Sequence, residues 1–287
     1  MKASIRIIRH NELHLMPPTS ILSQEELIRY VEKYLLDAYD LNRKGFRFAL
    51  LEAKLAYVPV IEVLKDFEEV SYQDLSLISV LPYSNSRYIK ELKRELKKSK
   101  PYINPLQIPF SVSNAVTGWI ALKLGTRGAN LTLNGENCLS SIVSAIKFIA
   151  DQISFGYFSR VLLLAGDFGG LVSSNFSDPI KTYAFLLEFS DSRGITIEAE
   201  DKYIDWNIFI DRIPEYSSSS VIIESAVKLP SELNDVTFIE NSSACSFLCS
   251  LLASPISFLD SIGVVATDIT YVIVESLDKV NVLRLKV

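Results

Sequence analysis

Ser113-Asn114-Ala115-Val116-Thr117-Gly118-Trp119-Ile120-Ala121, followed by Leu124-Gly125-Thr126-Arg127-Gly128-Ala129-Asn130-Leu131-Thr132-Leu133, is the stretch that decides the fold. Its first part is an apolar helix over about Asn114–Leu124. Its second part turns through two glycines into a short strand, Asn130–Leu133. Asn134-Gly135-Glu136-Asn137-Cys138-Leu139-Ser140-Ser141 comes next and opens a second apolar helix, Ser140–Ile153. Val161–Ala165 is an unbroken apolar run, as a strand covered on both faces requires. It leads into Leu164-Ala165-Gly166-Asp167. Helix, strand, helix and buried strand in this order describe a layered α/β protein.

Working outward, Ser4–Ile8 alternates as a strand does. Ser23 and Glu26 form a capping box that opens a helix to about Ala38. A second helical stretch starts near Arg47, with a break or kink expected at Pro59. Leu75–Leu81 is an apolar strand ending at Pro82, and Ser86–Lys98 is a strongly charged helix. Towards the C-terminus, Tyr183–Phe189 and Ile195–Ala199 read as a hairpin turning at Asp191–Gly194. Ser217–Ser220 is loop-like. A strand at Val236–Ile239, a helix at about Ala244–Leu252 and strands at Gly263–Ala266, Thr270–Glu275 and Val280–Lys286 close the chain as a meander.

The 287 residues suffice for a sizeable core without a disulfide or metal staple. Hydrophobic residues make up 48 %, enough to suggest that some apolar surface is covered by a partner. Thirty-four acids against 29 bases give a net charge of -5, which argues against nucleic acid as a partner. No apolar run reaches the ~18 residues of a membrane span. The N-terminus lacks the apolar core of a secretory leader. Cys138, Cys245 and Cys249 have no disulfide-framework spacing. A cytoplasmic protein is therefore expected.

The quoted stretch resembles the β-ketoacyl synthases. Asn114-Ala115-Val116-Thr117-Gly118-Trp119-Ile120-Ala121 is similar to the family's Asn-Ala-x-x-Gly-x-x-Ala. Gly125–Thr132 is similar to its Gly-x-x-Gly-Pro-Asn-x-Thr, and Ala165-Gly166-Asp167 to its Ala-Gly-Gly-x-Glu. The resemblance covers about 60 residues clearly and extends over residues 1–200. It implies an α/β protein with the thiolase-like layered α/β/α/β/α fold. A ketosynthase-like N-terminal half, 1–190, would be joined to a reduced C-terminal half, 191–287.

By the same resemblance, a nucleophile belongs at the turn into the second apolar helix. Counting without gaps from Asn130 puts Asn137 there, and matching Cys-x-Ser puts Cys138 there. A thiol at a helix N-terminus gains from unpaired N–H groups and the positive dipole end. Ketosynthases also need two histidines from the C-terminal half to stabilise developing negative charge. This chain has two histidines in all, His10 and His14, so those motifs are absent. The resemblance thus points to an inactive paralogue, a chain-length factor paired with an active ketosynthase and served by an acyl carrier protein, with no cofactor. The competing readings are a thiolase-fold acyltransferase or hydrolase using Cys138, with Glu136 or Asp167 as base, and a purely structural partner.

The resemblance implies the gate and dimer-contact residues as well. Tyr88, Ile89 and Leu92, at the start of the charged helix, are candidates to gate an acyl tunnel. Lys93, Arg94 and Lys97 are candidates to dock the carrier protein. Leu131, Thr132 and Leu133, with Val116, Trp119 and Ile120 beside them, are candidates for the dimer contact. His10 and His14 stand four apart but follow a strand into a proline loop, so no metal site is expected. Cys245 and Cys249 fit the core face of a helix.

Overall fold

The fold is taken from a computed structural model. It describes residues 4–39, 49–65, 72–103, 105–133, 138–189, 196–199, 220–225, 236–240, 252, 268–276 and 279–286. The chain divides into two compact units. One comprises 10–134 and 162–185, the other 1–9, 135–161 and 186–287.

The first unit holds β3 and β2 whole, with β4 from Leu162, β5 to Phe185 and β1 from His10, in the order β3-β2-β4-β5-β1. These are β1 (Ser4–Leu15), β2 (Ser76–Val80), β3 (Asn130–Thr132), β4 (Arg160–Asp167) and β5 (Ile180–Phe189). Every residue of β2 is buried, and so are the six central residues of β4. A strand buried throughout needs cover on both faces, which is why both read as apolar runs rather than alternations. β3 runs parallel to β2, with Leu77 opposite Asn130 and Ser79 opposite Thr132.

Helices α1 (Gln24–Tyr39), α2 (Leu51–Leu64), α3 (Ser86–Leu96) and α4 (Ala115–Leu124) complete this unit. The Ser23 hydroxyl accepts the Glu26 N–H at 3.2 Å, as the capping box requires. The returning bond from the Glu26 carboxylate goes to the Leu22 N–H instead, at 2.9 Å. Helix α2 is buried almost all round and continues through Pro59, where a break or kink was expected. A proline leaves the carbonyl four residues earlier without its donor. Here that carbonyl, Leu55, accepts the buried Thr182 hydroxyl from β5 at 3.0 Å.

The two glycines before β3 have separate reasons. Gly125 ends α4 in the left-handed conformation at φ 68°, where a side chain would be strained. Gly128 passes so close to β2 that a Cβ there would lie 2.6 Å from the Leu75 carbonyl oxygen.

The second unit holds α5 (Cys138–Ser154), which opens two residues before the sequence placed it. Its strands lie in the order β1-β6-β10-β9-β7-β8. The new ones are β6 (Thr196–Ala199), β7 (Ser220–Ser225), β8 (Val236–Glu240), β9 (Asp268–Ser276) and β10 (Lys279–Lys286). The expected hairpin between β5 and β6 does not form. β6 pairs antiparallel with β1, Ser4 opposite Glu198, and with β10 on its other side. β9 and β10 pair antiparallel as a hairpin, whereas β7 runs parallel to both β8 and β9. The expected meander is thus a mixed sheet, and β7 lies where no strand was expected. Asp191–Gly194, Gly263–Ala266 and, apart from Leu252, Ala244–Leu252 fall outside the described residues. Glu188 on β5 accepts from Arg6 on β1, Nε at 2.7 Å, and pairs with Arg160 on β4 at 3.4 Å.

Candidate functional site

Helix α3 buries none of its residues. It carries Tyr88, Ile89, Leu92 and Leu96 among its charges, so its apolar side is only partly covered by the first unit. Along that side runs an open groove of about 580 Å³. Tyr88 and Leu92 line it from the helix, and Tyr102, Ile103 and Ile108 line it from the segment that follows. Ile89, the third gate candidate, is half-buried and does not line the groove. Glu91, Arg94, Glu95, Lys98 and Lys100 also line it, so the groove is mixed apolar and charged.

The Tyr88 ring has two neighbours. The Phe110 ring meets it edge-on at 5.3 Å, and Trp119 of α4 lies 6.3 Å beyond Phe110. The Arg87 guanidinium lies over the Tyr88 ring, 4.8 Å from its centre. Arg87 in turn grips Glu52 of α2, Nε to Oε1 at 3.2 Å and Nη2 to Oε2 at 3.4 Å. Glu52 is fully buried and Arg87 only 13 % exposed. Burial works against the Arg87 charge, but the Glu52 carboxylate outweighs it and raises the pKa above its ordinary value. Burial likewise raises the Tyr88 pKa, so the phenol stays protonated. Glu52 was legible as a signal, since a carboxylate amid Leu50–Leu64 has to find a partner.

The cationic candidates Lys93, Arg94 and Lys97 are all exposed on α3, and Arg94 reaches the groove rim. From Arg87 to Lys100 there are seven basic residues against two acidic ones, a net charge of +5 in a chain whose total is -5.

At the other end of the sheet order, β3 is an edge strand. Leu131 is 38 % exposed there. Thr132 turns inward, with its hydroxyl 3.0 Å from both Ser79 on β2 and Thr117 on α4. Ser79 and Thr117 also bond to each other, closing a buried triad of hydroxyls. Val116 and Ile120 are buried within the unit, 1 % and 0 % exposed, so they have no area to give a partner. Their expected place at the contact is corrected to the inner face of α4. Trp119 is half-buried, and Leu122 on the same helix is 80 % exposed.

Cys138 is the first residue of α5, and Asn137 lies outside the described residues. Asp167, considered as a base for Cys138, accepts the Gly169 N–H at 2.9 Å and so closes its own turn. Glu136 is outside the described residues.

His10 and His14 both lie within β1, which continues past Ile8 to Leu15. Four residues along a strand separate their backbones by roughly 13 Å, too far for one ion. His14 Nε2 instead stands 3.2 Å from the Met16 sulfur, and the His10 ring lies 6.5 Å from Phe185. Among the described residues no cluster of three metal-ligating side chains occurs, and no helix is long and apolar enough to cross a membrane.

The mixed sheet with its covering helices is of the thiolase-like α/β class. Solved structures agree with this over the whole chain. The ishigamide ketosynthase/chain length factor superposes with a TM-score of 0.61 at 13 % identity, covering 99 % of both chains. A type II polyketide synthase complex of an acyl-carrier protein with its ketosynthase, bound to the hexaketide, gives 0.63 at 13 % identity, covering 100 % of this chain and 99 % of the other. The ketosynthase in complex with its chain length factor from Xenorhabdus doucetiae (ApeO and ApeC) gives 0.52 at 13 % identity, covering 99 % of both. The chain therefore shares its fold with ketosynthases and chain length factors. No family model and no curated protein matches its sequence.

Proposed function

We propose that the chain is a non-catalytic ketosynthase-like subunit, a chain-length factor. It pairs with an active ketosynthase and shapes the cavity in which a polyketide or polyene chain grows on an acyl carrier protein. The observation that carries this is the placement of the only two histidines on β1, both used in local contacts, in a fold shared with ketosynthases. Condensation needs preorganised donors at the enolate and the thioester oxygen, and this chain has no imidazole left to serve as one.

The groove supports the steric half of the reading. Tyr88 and Leu92 would limit chain length, the β3 edge with Leu131 and Trp119 would meet the ketosynthase, and the cations of α3 would attract the acidic carrier protein. The cytoplasm is the compartment that suits such an assembly. Co-expression with candidate ketosynthases tests it. A complex should form on size-exclusion chromatography, and Tyr88→Ala or Leu92→Ala should lengthen its product. A monodisperse chain that binds none of them refutes the proposal.

The second reading keeps Cys138 as a nucleophile. Its place at the first residue of a 17-residue helix favours it, since the helix dipole lowers a thiol pKa. It lacks a described base to activate the thiol.

A further inference from the structure

Tyr88 is the largest side chain that α3 gives to the groove, and its surroundings are unusually restrictive for a half-buried residue. Arg87 reaches it two ways and is itself anchored. The guanidinium covers the ring at 4.8 Å, Nη2 lies 3.4 Å from the phenol oxygen, and the same group is forked onto Glu52. The planar fork can satisfy the carboxylate while its face stays on the ring, which an ammonium cannot do. The Phe110 ring packs against it in an edge-to-face contact at 5.3 Å. Glu52 cannot give way, because its carboxylate is fully buried on α2 and Arg87 supplies its charge partner.

We propose that Arg87 is a positioning residue. Anchored by Glu52, it fixes the Tyr88 ring as a rigid wall of the groove and so sharpens the length of apolar chain admitted. This rests on the chain-length reading above. A wall that could rotate would admit a range of lengths, whereas a clamped ring sets one cut-off. Arg87 touches no ligand and acts only through Tyr88.

The test uses the complex of the full chain with its ketosynthase and carrier protein, and reads the product-length distribution. Arg87→Lys keeps the charge for Glu52 but loses the fork and the stacked face. It should leave the yield of complex unchanged while the ratio of longer to normal product rises roughly three- to tenfold, the size of one lost cation–π contact. In a Tyr88→Ala background the same substitution should change the distribution no further. Tyr88→Leu replaces Tyr88→Ala if the latter does not assemble. A normal distribution for Arg87→Lys beside a lengthened one for the Tyr88 variant would overturn the positioning role and leave the chain-length reading standing. An additive effect in the double variant would also overturn it. Unchanged lengths in all variants would remove both.

Discussion

The Thr182 hydroxyl on β5 donates to the Leu55 carbonyl on α2, 127 residues earlier in the chain, at 3.0 Å. That carbonyl is the one that Pro59 deprives of its helical donor. The pair is fully enclosed, since neither Leu55 nor Thr182 has exposed surface. Thr182→Val keeps the shape and deletes the donor, so it should destabilise the fold by about 1–3 kcal/mol. Pro59→Ala restores the backbone donor, and Thr182→Val in that background should cost less. Urea denaturation of the four proteins measures the difference.

The hydroxyl triad sorts two variants at the β3 edge. Thr132→Asp would force a carboxylate beside buried Ser79 and Thr117, so it should unfold the unit and say nothing about a partner. Leu131→Asp places the charge on exposed surface. It should leave the thermal midpoint of the isolated chain within a degree or so and abolish co-elution with the ketosynthase. Retained co-elution would remove β3 from the interface.

The purified chain alone should not turn over a malonyl-carrier substrate. Cys138→Ala should leave product formation by the complex nearly intact. An acyl group trapped on Cys138, together with a dead alanine variant, would instead establish the nucleophile reading.

The two histidines predict an acid sensitivity. Burial lowers the pKa of His10 from its ordinary 6.5, opposed by Glu12. Burial and then Lys181 lower that of His14, again opposed by Glu12. Both groups bind protons more readily unfolded than folded, so the unfolded state takes up more protons as the pH falls. Their contribution is complete above about 6.5 and is lost as the pH drops through the lowered values. The thermal midpoint should decline between pH 7 and pH 5, less steeply in a His10→Gln, His14→Gln variant. Equal slopes would show that carboxylates alone set the acid limb.

Residues 108–170 announced the fold because their structure is local. An apolar helix, a glycine that needs a left-handed cap, a glycine pressed on a neighbouring strand and a run buried on both faces all leave marks in sequence. What stayed hidden depends on distant residues. Pro59 reads as a break unless the Thr182 hydroxyl is known to arrive. β5 and β6 read as a hairpin because only the fold reveals that β1 lies between them. At the site, Tyr88 and Leu92 were legible from their helix. The clamp on Tyr88 was not, because Glu52 and Arg87 stand 35 residues apart. Val116 and Ile120 were placed outward because an apolar helix shows no polar face to say which side is buried.

Beyond its first turn, which Arg87 ties to Glu52, α3 has no buried residue to hold it, and most helical stability comes from packing. Alone, therefore, α3 opens at far lower free energy than the strands behind it. Its backbone amides should exchange with solvent deuterium early, and its crowded lysines and arginines should draw the first cuts of trypsin. Burial against a second subunit would slow both. The time course of exchange over Ser86–Leu96 thus reports directly whether the subunit is paired or orphaned, without any assay of its chemistry.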